Sequence, residues 1–288
     1  MPSWELTSWE LTSWELTNDL GLTLLGNSHT PARATAACAI LAHGFLGYKD
    51  YGFIPLLADR LAAAGVLVHR FNFACSGMTS QTETFARPDL FALDTWSRQV
   101  EDVRRVARAV REGELPGAGL PLHLIGHSRG GDTVILGAGR HEAELNPAGV
   151  VTINAPADAD RLSEEARTQM LADGFLEVRS GRTGQTLRLG RAWLDEQRAD
   201  PDAHNLELQA AQIRCPVLVL QGDSDDTVPI RDAERLAAAA NTAPVILKGG
   251  THVLNISNPA DDAARAHPGP VFDHACREIL ARVLAPDA

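Results

Sequence analysis

The sequence predicts an α/β fold built on a mostly parallel sheet, and three observations predict it. From Asp19 onward, short apolar runs alternate with stretches of helical periodicity. The runs lack clean polar–apolar alternation, as expected of strands covered on both faces. One of them runs directly into a Gly-x-Ser-x-Gly turn and then a helical stretch, a junction found at the carboxyl edge of such sheets.

The elements follow in order. Residues 3–17 read SWELT three times. A period of five fits neither the 3.6 of a helix nor the 2 of a strand, and three copies are too few for a solenoid. Residues 1–18 are therefore expected to form a flexible N-terminal tail without a catalytic role, leaving 19–288 as one domain. Deleting residues 2–17 should then leave activity nearly unchanged. Strands are expected at 36–42, 66–71, 121–125, 149–153, 216–220 and 244–247. Leu93, Trp96, Val100, Val103, Ala107 and Val110 recur at steps of three and four, which gives one apolar helical stripe. Further helices are expected at 53–64, 128–140, 230–240 and 271–284. Between about 157 and 213 no buried-strand signal occurs. A charged stretch there precedes Leu176/Val178 and Leu187/Leu189 around the turn-rich SGRTGQ, which reads as a solvent-facing hairpin. A small cap inserted over the carboxyl edge of the sheet is the expectation.

Composition excludes several functions. Lys and Arg total 26 against 37 Asp and Glu, a net charge of −11, so no basic face for nucleic acid is expected. No apolar run approaches the ~18 residues of a membrane span, and no secretory leader is evident. Cys38, Cys75, Cys215 and Cys276 are far apart, without metal-ligand spacing, and read as small buried thiols in a reducing compartment. A cytoplasmic protein without metal or cofactor follows, with oligomeric state left open as far as a homodimer.

The chemistry centres on LIGHSRGG at 124–131. In a nucleophile elbow the serine sits on a tight strand-to-helix turn, and glycines on either side avoid clashes. Ser128 is the candidate nucleophile. A serine hydroxyl needs a histidine to take its proton, and the histidine needs an acid to orient it. In this class of fold the order along the chain is serine, acid, histidine. VLVLQGDSDDTVP at 217–229 and KGGTHV at 248–253 both place such residues at strand ends. His252 is the candidate base; Asp223, Asp225 and Asp226 compete for the acid. The backbone N–H of Arg129 is one expected oxyanion donor, with a second from the loop AHGFLG at 42–47. His43 reads as a structural histidine of that loop, and His127 as pointing away from the cleft.

With HGF at 43–45, GHSRG at 126–130, GDSDDTVP at 222–229 and GGTH at 249–252 in this order, the chain resembles the α/β-hydrolase superfamily. Within it the HGF loop is similar to that of the small-capped esterases that include cinnamoyl and feruloyl esterases. The resemblance implies an α/β-hydrolase fold, selects Asp225 through its G-x-x-D-x-x-V-P pattern, and assigns the second oxyanion N–H to Phe45. It implies a serine hydrolase acting on small-molecule carboxylic esters through an acyl-enzyme. A thioesterase, an aminopeptidase-like hydrolase and a non-catalytic binding protein are the alternatives. The chain departs from the pattern at 72–78, where NFACSGM stands in place of the D-x-R-G-x-G-x-S loop of many relatives, and this brings Cys75 near the expected cleft, where an inert thiol is the expectation.

Overall fold

The computed structural model describes residues 8–33 and 35–285. Its first strands are β1 (Trp9–Thr17), β2 (Thr23–Pro31) and β3 (Ala37–Ala42), followed by helix α1 (Ile54–Ala63) and β4 (Val66–Asn72). Helices α2 (Pro88–Phe91) and α3 (Trp96–Glu112) lead to β5 (Leu122–His127), α4 (Arg129–Arg140), α5 (Glu142–Leu145) and β6 (Gly149–Ile153). An inserted segment then carries α6 (Glu164–Asp173), β7 (Phe175–Arg179), β8 (Thr186–Gly190), α7 (Ala192–Ala199) and α8 (Leu206–Gln212). The chain finishes with β9 (Val217–Gly222), α9 (Ile230–Ala239), β10 (Val245–Leu247), α10 (Asp262–Ala266) and α11 (Pro270–Val283).

Eight strands form one sheet in the order β1-β2-β4-β3-β5-β6-β9-β10. The pairs β1·β2 and β2·β4 are antiparallel, and from β4 to β10 every pair is parallel. All six residues of β3 and all six of β5 are buried, which is why these strands read as apolar runs. Their side chains alternate between two cores. Cys38, Ile40 and Leu124 join Val100, Val103 and Ile135 of α3 and α4 on one face, while Ala39, Leu41 and Ile125 join Phe53, Leu57, Phe272 and Ile279 on the other.

Helix α3 begins three residues later than its apolar stripe. The Thr95 hydroxyl accepts from the Arg98 N–H and caps the helix, so Leu93 lies outside it and is exposed. In the inserted segment β7 and β8 form the expected hairpin. It is not solvent-facing on both sides, since Leu187 and Leu189 are buried. The insertion is tied to the sheet domain through polar contacts. Gln185 accepts from the Phe85 N–H at 2.8 Å, the Gly190 N–H donates to the Ala92 carbonyl at 3.1 Å, and Glu196 accepts from the Ser97 N–H at 3.2 Å at the start of α3.

The reading of residues 1–18 as a tail is corrected for residues 9–17; residues 1–7 lie outside the described residues. Trp9–Thr17 pairs with β2 along its full length. A period of five is odd and a strand has period two, so successive copies present their apolar residues to opposite faces. The third copy turns Trp14 and Leu16 toward the core, with the Trp14 ring lying directly over Gly26 and its edge against the His69 ring at 6.4 Å. The second copy turns Trp9 and Leu11 the other way, and Leu11 is exposed. Deleting residues 2–17 would therefore strip a paired strand. The loss of Trp14 and Leu16 burial is worth about 3 kcal/mol, so the melting temperature should fall by roughly 5–10 °C in calorimetry. An unchanged melting temperature would restore the tail reading.

Candidate active site

Ser128 stands between the last residue of β5 and the first of α4, with φ 52° and ψ −127°. A non-glycine residue held there stores roughly 1–3 kcal/mol of strain. The flanking glycines explain how the turn closes. A Cβ on Gly126 would lie 2.1 Å from the Gly130 carbonyl oxygen, and one on Gly130 would lie 2.3 Å from that of Ala42. Both positions are sterically restricted to glycine. The Ser128 N–H donates to the Ile153 carbonyl at 2.9 Å, which registers the turn against β6.

Asp225 and His252 come together at the ends of β9 and β10. The imidazole Nδ1 donates to the Asp225 carboxylate at 2.8 Å, with the Asp225 side chain fully buried. The other carboxylate oxygen accepts from the backbone N–H groups of Thr227 and Val228 at 2.8 and 2.9 Å. Burial alone would raise the Asp225 carboxyl, but the hydrogen bonds from His252 and from the Val228 and Thr227 N–H groups hold it below its ordinary value. The competing acids are elsewhere. Asp223 is exposed and accepts from the Gly249 N–H at 2.6 Å, and Asp226 is exposed and bonds Thr227. With Nδ1–H committed to Asp225, Nε2 of His252 carries the free lone pair, the form a base requires.

The loop after β3 abuts Ser128. A Cβ on Gly44 would stand 3.0 Å from that of Ser128, which brings Phe45 beside the elbow. Arg129 opens α4, so its N–H is one of the first-turn donors without an intrahelical acceptor. His43 is buried and works inside the loop: Nδ1 donates to the Gly44 carbonyl at 2.9 Å, and Nε2 accepts from the Phe73 N–H at 3.3 Å. Burial pushes its pKa down to about 4. His127 is buried beneath the histidine loop, with Nε2 donating to the His252 carbonyl at 2.8 Å and its ring 4.8 Å from that of His252. Cys75 is buried, and burial followed by the Asp94 and Asp102 charges pushes its thiol up to about 12; it is not a thiolate nucleophile at neutral pH.

Sequence reasoning missed the surroundings of the Arg129 side chain. Its guanidinium carbon lies 4.5 Å from the Trp96 ring, 5.1 Å from Phe45 and 5.7 Å from Trp193 of the insertion. Asp94 pairs with it at 2.9 Å, both side chains being buried. Trp96 and Trp193 are the two tryptophans outside the SWELT repeat, the one signal that could have drawn attention to them. Removing one partner of a buried pair strands the other's charge. Asp94→Ala is therefore expected to cost about 3–5 kcal/mol in urea unfolding, and Asp94→Leu combined with Arg129→Met to recover most of it. No group of three metal-ligating side chains occurs among the described residues, and no helix among them is long and apolar enough to cross a membrane.

An eight-stranded, mostly parallel sheet with a strained serine at the turn after a central strand defines an α/β-hydrolase fold. The profile of the alpha/beta hydrolase family matches residues 39–266, and the chain belongs to that family. No curated protein matches the sequence significantly. Among solved structures it is similar to the esterase domain of a Rhodothermus marinus protein, at 24% identity over 93% of this chain and 98% of that one, with a TM-score of 0.60. It is similar also to Est1E from Butyrivibrio proteoclasticus with ferulic acid bound, at 18% identity, covering 94% and 100% of the two chains, with a TM-score of 0.68. The alpha/beta hydrolase GrgF from a Penicillium species gives 17% identity, 96% and 100% coverage, and a TM-score of 0.70. At these identities the likeness is one of fold.

Proposed function

We propose that the protein is a serine hydrolase that cleaves carboxylic esters of small or medium acyl groups through an acyl-enzyme. Ser128 attacks the carbonyl carbon, and Nε2 of His252 takes its proton and returns it to the leaving alcohol. Asp225 holds the imidazole in the Nδ1–H tautomer and stabilises the imidazolium as it forms. The N–H groups of Phe45 and Arg129 receive the oxyanion. Water then enters the same cycle as the second nucleophile and releases the acid. The observation that carries this reading is the 2.8 Å bond from His252 to a buried carboxylate, in a loop whose backbone is bonded to the residue beside Ser128. The esterases among the structural neighbours support it. An aminopeptidase-like reading would need acids gathered at the cleft, whereas Glu164, Glu165 and Asp173 are exposed. The buried thiols Cys38, Cys75 and Cys276 are in keeping with a cytoplasmic enzyme.

The test is pre-steady-state release of p-nitrophenol from the acetate and butyrate esters, with covalent labelling by a fluorophosphonate in parallel. A burst matching the enzyme concentration, together with label on Ser128, is the expected result. Absence of label on Ser128 would overturn the reading in favour of a binding protein.

A further inference from the structure

The histidine loop after β10 is irregular, with Leu254 and Asn255 at positive φ, yet it must hold an imidazole to within fractions of an ångström. A base displaced by 1 Å from its nucleophile loses much of its effect. The Asp225 bond fixes the rotation of the His252 ring but not the position of its backbone.

Two buried side chains meet that backbone. Asn154, the residue after β6, is completely buried and sits at φ 52°. Its Nδ2 donates to the carbonyls of Thr251 at 3.1 Å and His252 at 2.9 Å, and its Oδ1 accepts from the Gly222 N–H at 2.8 Å. The amide has one consistent orientation here, because two carbonyls face one end and an N–H faces the other. Gly222 ends β9, three residues before Asp225. One carboxamide therefore spans the gap between the strand that carries the acid and the loop that carries the histidine. The second side chain is His127, whose Nε2–H donates to the same His252 carbonyl. It is joined to Ser128 by a single peptide bond, and Phe53 packs edge-on against its ring at 5.0 Å. The backbone carbonyl of His252 is thus held from the nucleophile strand on one side and from β6 on the other.

We infer that Asn154 is a positioning residue for catalysis, with His127 as its counterpart: together they set the distance between His252 and Ser128, while Asp225 sets the ring's orientation. This rests on the reading of Ser128, His252 and Asp225 as nucleophile, base and acid. Asn154 is suited to its place, since asparagine is among the few side-chain-bearing residues that enter the left-handed region readily.

The test uses Asn154→Asp, which keeps size and backbone preference but turns a carboxylate oxygen toward two carbonyls, and His127→Phe, which removes the other donor. Turnover of p-nitrophenyl butyrate is expressed per site titrated with fluorophosphonate, so that unfolded protein drops out. The expected result is a fall in kcat of about 10–100-fold for each variant with KM within twofold of wild type. A merely structural role would lower the titrated fraction and leave kcat per site within twofold, and that result would overturn the inference. Should neither variant fold, nitrogen-15 histidine spectra of the wild type decide. Burial, followed by the charge of His252, depresses His127 to about 3, so it should stay neutral with the proton on Nε2 from pH 8 to 5. A proton on Nδ1 would mean that the bond to the His252 carbonyl does not exist. If wild-type Ser128 takes no label at all, the triad reading fails and this inference with it; a labelled wild type with unaffected variants removes the inference alone.

Discussion

Ser128→Ala is expected to abolish ester turnover, with kcat reduced by roughly 10⁵–10⁶ and the melting temperature within a few degrees of wild type. In the proposed mechanism the loss is large because nucleophile and base act as a unit: without the hydroxyl, His252 has no proton to take, and only binding and the oxyanion donors remain. The fold should tolerate the change. The strained backbone of Ser128 is held by its N–H bond to Ile153 and by the close approach of Gly126 and Gly130, none of which involves the hydroxyl. Steady-state kinetics alongside a thermal melt check both halves. Turnover within tenfold of wild type would remove Ser128 from the mechanism.

Asp225→Asn should cost about 10⁴ in kcat, while Asp223→Asn should cost no more than a few-fold. The Asp225 carboxylate accepts from His252 Nδ1; an amide in its place can turn an NH₂ toward the ring and favour the tautomer with its proton on Nε2, which cannot act as base. Asp223 accepts from Gly249 at an exposed turn, and an amide oxygen can do the same. Because Asp225 is held below the ordinary carboxylate range, its ionised form, and the stability linked to it, persist above its unfolded value and are lost only as pH falls through the depressed one. A loss of activity between pH 7 and 5 would therefore not be the titration of this carboxylate. Parallel assays of the two variants decide the assignment; a larger effect at Asp223 would reverse it.

Much of the parallel sheet was legible because its strands are buried on both faces, and an apolar run such as Val66–Phe71 announces that directly. The elbow was legible for a related reason, since the glycines of GHSRG are dictated by backbone contacts two residues either side of Ser128. β2 escaped notice because its centre, Asn27-Ser28-His29, is polar and yet buried. Asn27 bonds Ser13, Ser28 bonds His69, and His29 accepts from Arg70. A buried strand centre whose polar side chains bond to the neighbouring strands has no hydrophobic signature. β1 was hidden by its period of five. Spacing left three acids in contention, and only the family pattern singled out Asp225; the geometric reason, two backbone N–H groups cradling that one carboxylate, lies in the turn. The guanidinium of Arg129 is enclosed by residues from positions 45, 94, 96 and 193, and no local pattern reveals a contact assembled from such distant places.

The pairing of β1 also bears on heredity. Three identical SWELT units, where their codons repeat as well, form a tandem repeat of fifteen bases prone to slippage during replication, gaining or losing one unit at a time. Losing a unit would slide an identical SWELT into the place of the old one, so the stretch facing β2 would read the same, with Trp14 and Leu16 replaced by their own likenesses. Copy number at this terminus can drift between lineages while the sheet beneath it keeps its register.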